Sequence, residues 1–301
     1  MWILPSCTGL HGTRTAGWIL QRRVGFWATN RKMARPFRER NKNGREWNER
    51  AIGRSYRKIK ESMTNKMKVL VTGAAGLVGG HLREHWGDRY ELRLADVKPV
   101  GDLAAHEEFV QMDITQYDAF LVACQGMDAV VHLAADPSME ADFYKTLLPL
   151  NIIGCYNGFE AARAAGCRRI VFASSINAIL GHDQEEPVPW QAPVYPVNVY
   201  GATKCFGEAL GRVYAHQHGL SCIMVRIGAA AWKQAPDQTP PRREAGITPH
   251  DQAQLFSRCL EAPDEVDFKI VHGTSDHTRQ WMDLEVSREL GYEPEGGTAQ
   301  S

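Results

Sequence analysis

From residue 67 onward, short blocks of β-branched and aliphatic residues alternate with longer stretches in which apolar positions recur every three to four residues. The first kind reads as buried strands and the second as amphipathic helices that cover them. Their alternation predicts an α/β fold, a doubly wound parallel sheet with helices on both faces. Strands are expected at 68–71, 91–95, 108–112, 129–133, 169–173, 221–226 and 268–271, and helices at 77–86, 116–124, 143–165, 198–218, 249–261 and 280–290. Two proline-rich stretches break the rhythm, 181–197 and 229–248. Each follows the carboxyl end of a strand, the edge at which open parallel sheets bind ligands, and long loops inside compact domains tend to be functional.

The junction of the first strand and first helix carries the strongest chemical signal. The apolar run Met67-Lys68-Val69-Leu70-Val71 leads directly into Thr72-Gly73-Ala74-Ala75-Gly76-Leu77-Val78-Gly79-Gly80. Glycines at 73, 76 and 79 let the chain turn sharply, approach a pyrophosphate with its backbone and start a helix hard against the sheet. The amides of that helix's first turn then face the anion, assisted by the helix dipole. The second strand ends in Asp96, about 20 residues after the loop, where a ribose-binding acid belongs. A carboxylate there accepts hydrogen bonds from both ribose hydroxyls and repels a 2′-phosphate, which favours NAD. Lys98, two residues on, keeps NADP open.

Composition narrows the class. With 301 residues, 44% hydrophobic, the chain has room for one large α/β domain and a small appendage. No run approaches the roughly 18 apolar residues of a spanning helix, so no membrane role is expected. Cysteines at 7, 124, 155, 167, 205, 222 and 259 are scattered, with no Cys-x-x-Cys pair. They read as reduced thiols of a cytoplasmic protein, with no metal framework. The formal net charge of zero hides an asymmetry: residues 1–68 carry 17 Lys and Arg against four Glu, and the remainder is acidic by the same margin.

Tyr200 and Lys204 lie four apart at the start of a predicted helix and project from one face. An ammonium beside a phenol favours the phenolate, a general base that takes a hydroxyl proton as hydride leaves carbon. Ser174-Ser175 closes the strand at 169–173 and places hydroxyls at the same edge.

With these residues in order, the chain resembles the extended short-chain dehydrogenase/reductases, the NAD-dependent epimerase/dehydratase family. The resemblance runs from Lys66 to Pro294 through Thr72-Gly73-x-x-Gly76-x-x-Gly79, Asp96, Asp113-Ile114, His132-Leu133-Ala134-Ala135, Asn151, Ser174-Ser175, Tyr200-x-x-x-Lys204 and Arg226-Ile227-Gly228. It implies a Rossmann fold and an enzyme with Ser175, Tyr200, Lys204 and Asn151 as the catalytic set. Asn151 would anchor a water that links to Lys204. It implies cofactor contacts from Gly73, Gly76, Leu77, Val78, Gly79, Asp96 and Ile227, adenine contacts from Asp113 and Ile114, and nicotinamide-side contacts from Leu133, Ala134, Ala135, Asn151, Tyr200 and Lys204.

Within the family, Ser175-Ile176-Asn177 stands where dehydratases place Thr-Asp-Glu, which argues against dehydration. Only 73 residues follow Gly228, too few for a nucleotide-sugar domain. Val225-Arg226-Ile227-Gly228, Lys204-Cys205-Phe206-Gly207-Glu208 and Val271-His272-Gly273-Thr274-Ser275 resemble the uronate dehydrogenases, which oxidise C1 of a hexuronate to a lactone. By that resemblance Ser138, Ser175, Asn177, Arg242 and Arg243 contact substrate, the arginines through a carboxylate or phosphate. Those enzymes usually carry Ser-Asn-His at the catalytic strand end, which leaves the substrate open. An NAD-dependent glucose 6-phosphate dehydrogenase, an NAD-dependent epimerase of sugars or sugar nucleotides, and a non-catalytic NAD-sensing or scaffold protein stand as alternatives. A sugar or sugar-acid substrate and a homo-oligomer are expected, without nucleic acid. The divisions are a basic extension at 1–66, an NAD-binding domain at 67–228 with the catalytic residues, and a small substrate-binding region at 229–301. Residues 1–66 have three readings, a transit peptide, a nucleic-acid- or membrane-binding arm, or translated upstream sequence with Met63 or Met67 as the start. The last is favoured because family members begin just before their first strand.

Overall fold

The structure is a computed structural model that describes residues 66–183, 185–230 and 245–295. Seven parallel strands form one sheet: β1 (Lys68–Thr72), β2 (Glu91–Asp96), β3 (Glu107–Gln111), β4 (Ala129–His132), β5 (Arg169–Ser175), β6 (Ser221–Ile227) and β7 (Phe268–Gly273). Their order is β3-β2-β1-β4-β5-β6-β7. The chain therefore winds outward from β1 in one direction and then returns to β4 on its other side. The gap between the carboxyl ends of β1 and β4 is the switch point at which such sheets bind ligands.

The helices are α1 (Leu77–Trp86), α2 (Tyr117–Cys124), α3 (Cys155–Ala165), α4 (Val199–His218), α5 (Pro249–Leu260) and α6 (Glu285–Glu289). Strand alternation sorts the core into two layers. Val69 and Val71 face one side with Leu82, Trp86, Leu255 and Phe256, while Leu70 faces the other with Phe120, Phe159 and Met224. Every residue of β5 and β6 is buried, which is why both read as near-continuous apolar runs. Among the described residues no helix is long and apolar enough to cross a membrane.

Two elements differ from the periodicity. The helix expected over 143–165 opens as a π-helical stretch, Phe143–Gly154, before α3. Pro149 has no N–H for the carbonyl four residues back, and wider turns carry the chain past it, with Leu147 N–H already bonded to the Asp142 carbonyl at 3.2 Å. The helix expected over 280–290 shortens to α6. Trp281 and Asp283 instead pair through their backbones with Val188, at 2.8 and 3.0 Å. Trp281 and Met282 are then buried among Ile176, Ile179, Val188 and Ala245. Long-range burial of these two side chains overrides a local helical pattern.

Candidate active site

At the switch point the chain forms a cleft of about 550 Å³ along the carboxyl edge of the sheet. Its floor is the glycine loop. Gly73 adopts φ +72°, and a Cβ there would lie 2.8 Å from the Ala134 backbone nitrogen. A Cβ at Gly79 would lie 2.6 Å from the Gly73 carbonyl oxygen. Gly76 is the N-cap of α1 and supplies no side-chain cap, so the first N–H groups of the helix stay available to an anion. Gly76, Leu77, Val78 and Gly79 line this part of the cleft.

Asp96, at the end of β2, lines one extremity. Its Oδ2 accepts from Ala75 N–H and its Oδ1 from Lys98 N–H, both at 3.0 Å. These bonds hold the carboxylate beside the glycine loop. Asp113 and Ile114 form the neighbouring wall. The Ile114 carbonyl is held by Asn157 Nδ2 at 2.9 Å, and Asp113 caps its own turn through Thr115 N–H. Leu133, Ala134 and Ala135 follow β4, with Leu133 N–H on the Thr72 carbonyl. A narrow apolar trough with a backbone cradle at its centre and an acid at one end matches the shape and polarity of a dinucleotide.

The opposite extremity gathers Ser175, Tyr200 and Lys204. Tyr200 and Lys204 occupy the first turns of α4 and are almost fully buried, at 8% and 4% exposure. The Lys204 ammonium lies 5.6 Å from the centre of the Tyr200 ring and donates one bond, 2.9 Å, to the Ala173 carbonyl. Two further N–H bonds remain for a ribose or a phenolate. The two serines of β5 divide their roles. Ser174 donates to Glu208 Oε1 at 2.6 Å, and Glu208 in turn forms a fully buried bidentate pair with Arg226 at 2.8 Å on both arms. Ser175 Oγ instead accepts, from the Asn177 backbone N–H and Nδ2, and the residue lines the cleft with Asn177 and Ile227.

The remaining sequence-derived candidates fall out differently. Asn151 sits within the π-helical stretch with its amide engaged: Oδ1 accepts from Asp136 N–H at 2.8 Å, and Nδ2 donates to the Asp136 carbonyl at 3.0 Å and to Thr203 Oγ1 at 3.1 Å. Thr203 donates to the Tyr200 carbonyl. This side chain clasps the loop after β4 to the catalytic helix. The Ser138 hydroxyl accepts from Glu140 N–H at 3.2 Å, and its neighbours Pro137 and Met139 line the cleft instead. Arg242 and Arg243 lie outside the described residues. Periodicity and motif matching missed Ile176, Leu180, Ala229 and Ala230 at the reactive end. They are apolar residues of the 3-10 helix, turns and bridge that follow β5 and β6, with no residue-type signature to mark them.

Behind the cleft, His132 is fully buried, with Nδ1 bonded to Thr72 Oγ1 at 2.7 Å. Burial, reinforced by the nearby Lys204 charge, pushes its pKa down to about 3, so it is a neutral strut. Among the described residues no cluster of three His, Cys, Asp or Glu side chains is placed to hold a metal ion.

Comparison with known proteins agrees with this geometry. The profile of the "NAD dependent epimerase/dehydratase family" matches residues 69–285. The NAD-dependent glucose-6-phosphate dehydrogenase of Haloferax volcanii is 34% identical over 250 residues, 77% of this chain and 94% of that protein. The uronate dehydrogenase of Pseudomonas putida is 34% identical over 229 residues, 75% of this chain and 83% of its own length. The crystal structure of uronate dehydrogenase from Agrobacterium tumefaciens superposes with a TM-score of 0.69 at 37% identity, over 76% of this chain and 85% of that one. A mutant of that enzyme in complex with NAD gives the same TM-score at 36% identity. The matched stretch contains the glycine loop, Asp96, Ser175, Tyr200 and Lys204, and the chain belongs to the NAD-dependent epimerase/dehydratase family of extended short-chain dehydrogenases, an NAD-dependent oxidoreductase.

Proposed function

We propose that the protein oxidises the C1 hydroxyl of a small free sugar or sugar acid, with hexuronates as the first candidates. The observation that carries the reading is the convergence of Ser175, Tyr200 and Lys204 at one end of the same cleft whose other end holds Asp96. In this reading the Tyr200 phenolate takes the proton of the substrate hydroxyl. Ser175 donates a hydrogen bond to the same oxygen and strengthens as charge builds on it. Lys204, held by the Ala173 carbonyl, keeps a positive charge next to the phenolate. Bound NAD supplies the acceptor for the hydride from C1. Asp96 selects the unphosphorylated ribose.

Residues 229–301 serve as the substrate-side region in this proposal. Ala229 and Ala230 line the reactive end, and Trp281 and Met282 support Ile176 and Ile179 from below. The nearby apolar wall of Pro137, Met139, Ile176 and Leu180 suits a sugar ring and leaves the anionic group of a uronate or sugar phosphate to Arg242 and Arg243. Two of the relatives reported above are named for substrates of these two kinds, a uronate and a sugar phosphate.

A panel of free uronates, aldoses and sugar phosphates, each with NAD and NADP and followed by NADH or NADPH absorbance, tests this directly. Net reduced cofactor on a uronate with NAD is expected, and interconversion of sugars with no net reduction overturns the reading. Tyr200→Phe should lower kcat by roughly a thousandfold with NAD affinity retained.

A further inference from the structure

Ser175 Oγ accepts two hydrogen bonds, from the backbone N–H of Asn177 at 3.1 Å and from Asn177 Nδ2 at 3.2 Å. A serine hydroxyl has two acceptor positions and one proton. With both lone pairs occupied, only the proton can be aimed into the cleft. The orientation of the Asn177 amide is set one residue further away. Asn177 Oδ1 accepts from Asn198 Nδ2 at 2.8 Å, and Asn198 Oδ1 accepts from Gly201 N–H at 2.7 Å as the N-cap of α4. An amide side chain can turn over and exchange its oxygen for its nitrogen, so its direction is decided by its partners. A backbone N–H has no such choice. The polarity of Gly201 N–H therefore propagates through Asn198 and Asn177 to Ser175. The two segments are pressed together, since a Cβ at Gly201 would lie 2.3 Å from the Asn177 carbonyl oxygen. Tyr200 is the residue immediately before Gly201.

We propose that Asn177 and Asn198 are positioning residues that hold Ser175 as an obligatory hydrogen-bond donor to the reacting oxygen, leaving Tyr200 as the acceptor of that oxygen's proton. The proposal rests on the oxidation argued above. It reassigns Asn177 from a substrate contact to the residue that orients Ser175. It also ties the direction of the serine hydroxyl to the first turn of the helix that carries the base, so the two halves of the catalytic pair are set by one hydrogen-bond chain.

Asn198→Asp tests it. A carboxylate still caps α4 through Gly201 N–H, so the melting temperature should stay at the parent value or rise and the NAD Kd should stay at the parent value. The carboxylate has no N–H for Asn177, whose amide then turns its Nδ2 toward position 198 and its Oδ1 toward Ser175, capturing the serine proton. With D-glucuronate as substrate, kcat should fall about tenfold or more, with KM changing less, and Ser175→Ala should add little further loss in this background. Asn198→Ser, a cap with no amide to transmit polarity, should fall between Asn198→Asp and the parent. If Asn198 is only a cap, Asn198→Asp keeps parental kcat, and that result overturns the proposal. A second measurement needs no substrate. In ¹⁵N-labelled protein the Asn177 side-chain amide resonances should shift on Ser175→Ala, in which Nδ2 loses its acceptor. Indifference in the parent background overturns the proposal even if every sugar in the panel fails as a substrate, an outcome that would remove the oxidation reading alone.

Discussion

Gly73 shows how little room the cofactor site leaves. Its φ of +72° lies where a side chain is strained, and the Ala134 backbone nitrogen stands 2.8 Å from where a Cβ would be. Neither the strain nor the backbone contact can relax by moving a flexible side chain. Gly73→Ala should therefore lower NAD affinity by tenfold or more and destabilise the fold by about 1–3 kcal/mol, measured by NAD titration and thermal unfolding. Gly201 is constrained for a different reason, the Asn177 carbonyl 2.3 Å from its would-be Cβ. Gly201→Ala should push the Asn177 turn off α4 and lower kcat more than it weakens NAD binding, because the glycine loop is untouched. These two glycines differ in legibility. The first belongs to a spaced triplet after a strand and announces a dinucleotide. The second is a lone glycine after a tyrosine, and its purpose appears only when residue 177 is seen against it.

Helix ends repeat the lesson. Asn198 is the N-cap of α4, and Thr248, which accepts from Asp251 N–H, is that of α5. The other end of α5 is closed by a residue no local pattern identifies. Arg169, the first residue of β5 and 1% exposed, directs Nη1 to the carbonyls of Cys259, Leu260 and Ala262, Nη2 to Pro263, and Nε to Ser221 Oγ. Burial lowers its pKa from the ordinary arginine range, and the carbonyl cluster compensates by solvating the guanidinium in place of water. Arg169→Met keeps much of the volume and leaves those carbonyls without their donor. A loss on the order of 3 kcal/mol is expected in chemical denaturation, with kcat in the surviving folded fraction unchanged, since Arg169 lies at the amino edge of the sheet. In sequence, an arginine at the head of an apolar strand looks like a surface residue, and only the return of α5 across β5 makes it a buried cap.

The whole molecule should be sensitive to mild acid. Burial pushes His132 and His272 down from 6.5 to about 3, with the charges of Lys204 and Arg226 respectively adding to the effect. Below pH 6.5 the unfolded chain takes up protons at these positions and the folded protein does not, so stability falls with pH by up to about 1.4 kcal/mol per unit for each histidine until about pH 3. Glu107, Glu160 and Glu261, lowered from 4.5 in the folded protein, lose stability only below that value. Denaturation midpoints between about pH 6.5 and 4.5 therefore isolate the histidine contribution. His132→Gln should flatten the slope over this window, and an unchanged slope would show that His132 is protonated in the folded state.

Strand alternation, helix spacing and the motifs at 72–80, 96, 174–175 and 200–204 are local properties, set by side-chain period and by backbone needs within a few residues. They were enough to place the cores of all seven strands, the dinucleotide cleft and the Ser, Tyr and Lys of the reactive end. Pairing is not local. Ser174 and Ser175 look equivalent in the chain, and only the Glu208–Arg226 pair, brought in from α4 and β6, claims the proton of one of them. Trp281 and Met282 follow a helical pattern and become a buried bridge because Val188 offers them a partner. The direction of the Ser175 proton depends on residues 177, 198 and 201, which meet only once β5 and α4 have packed. A hydrogen bond has a sign as well as a position, and that sign is settled by the fixed backbone group at the end of the chain of bonds.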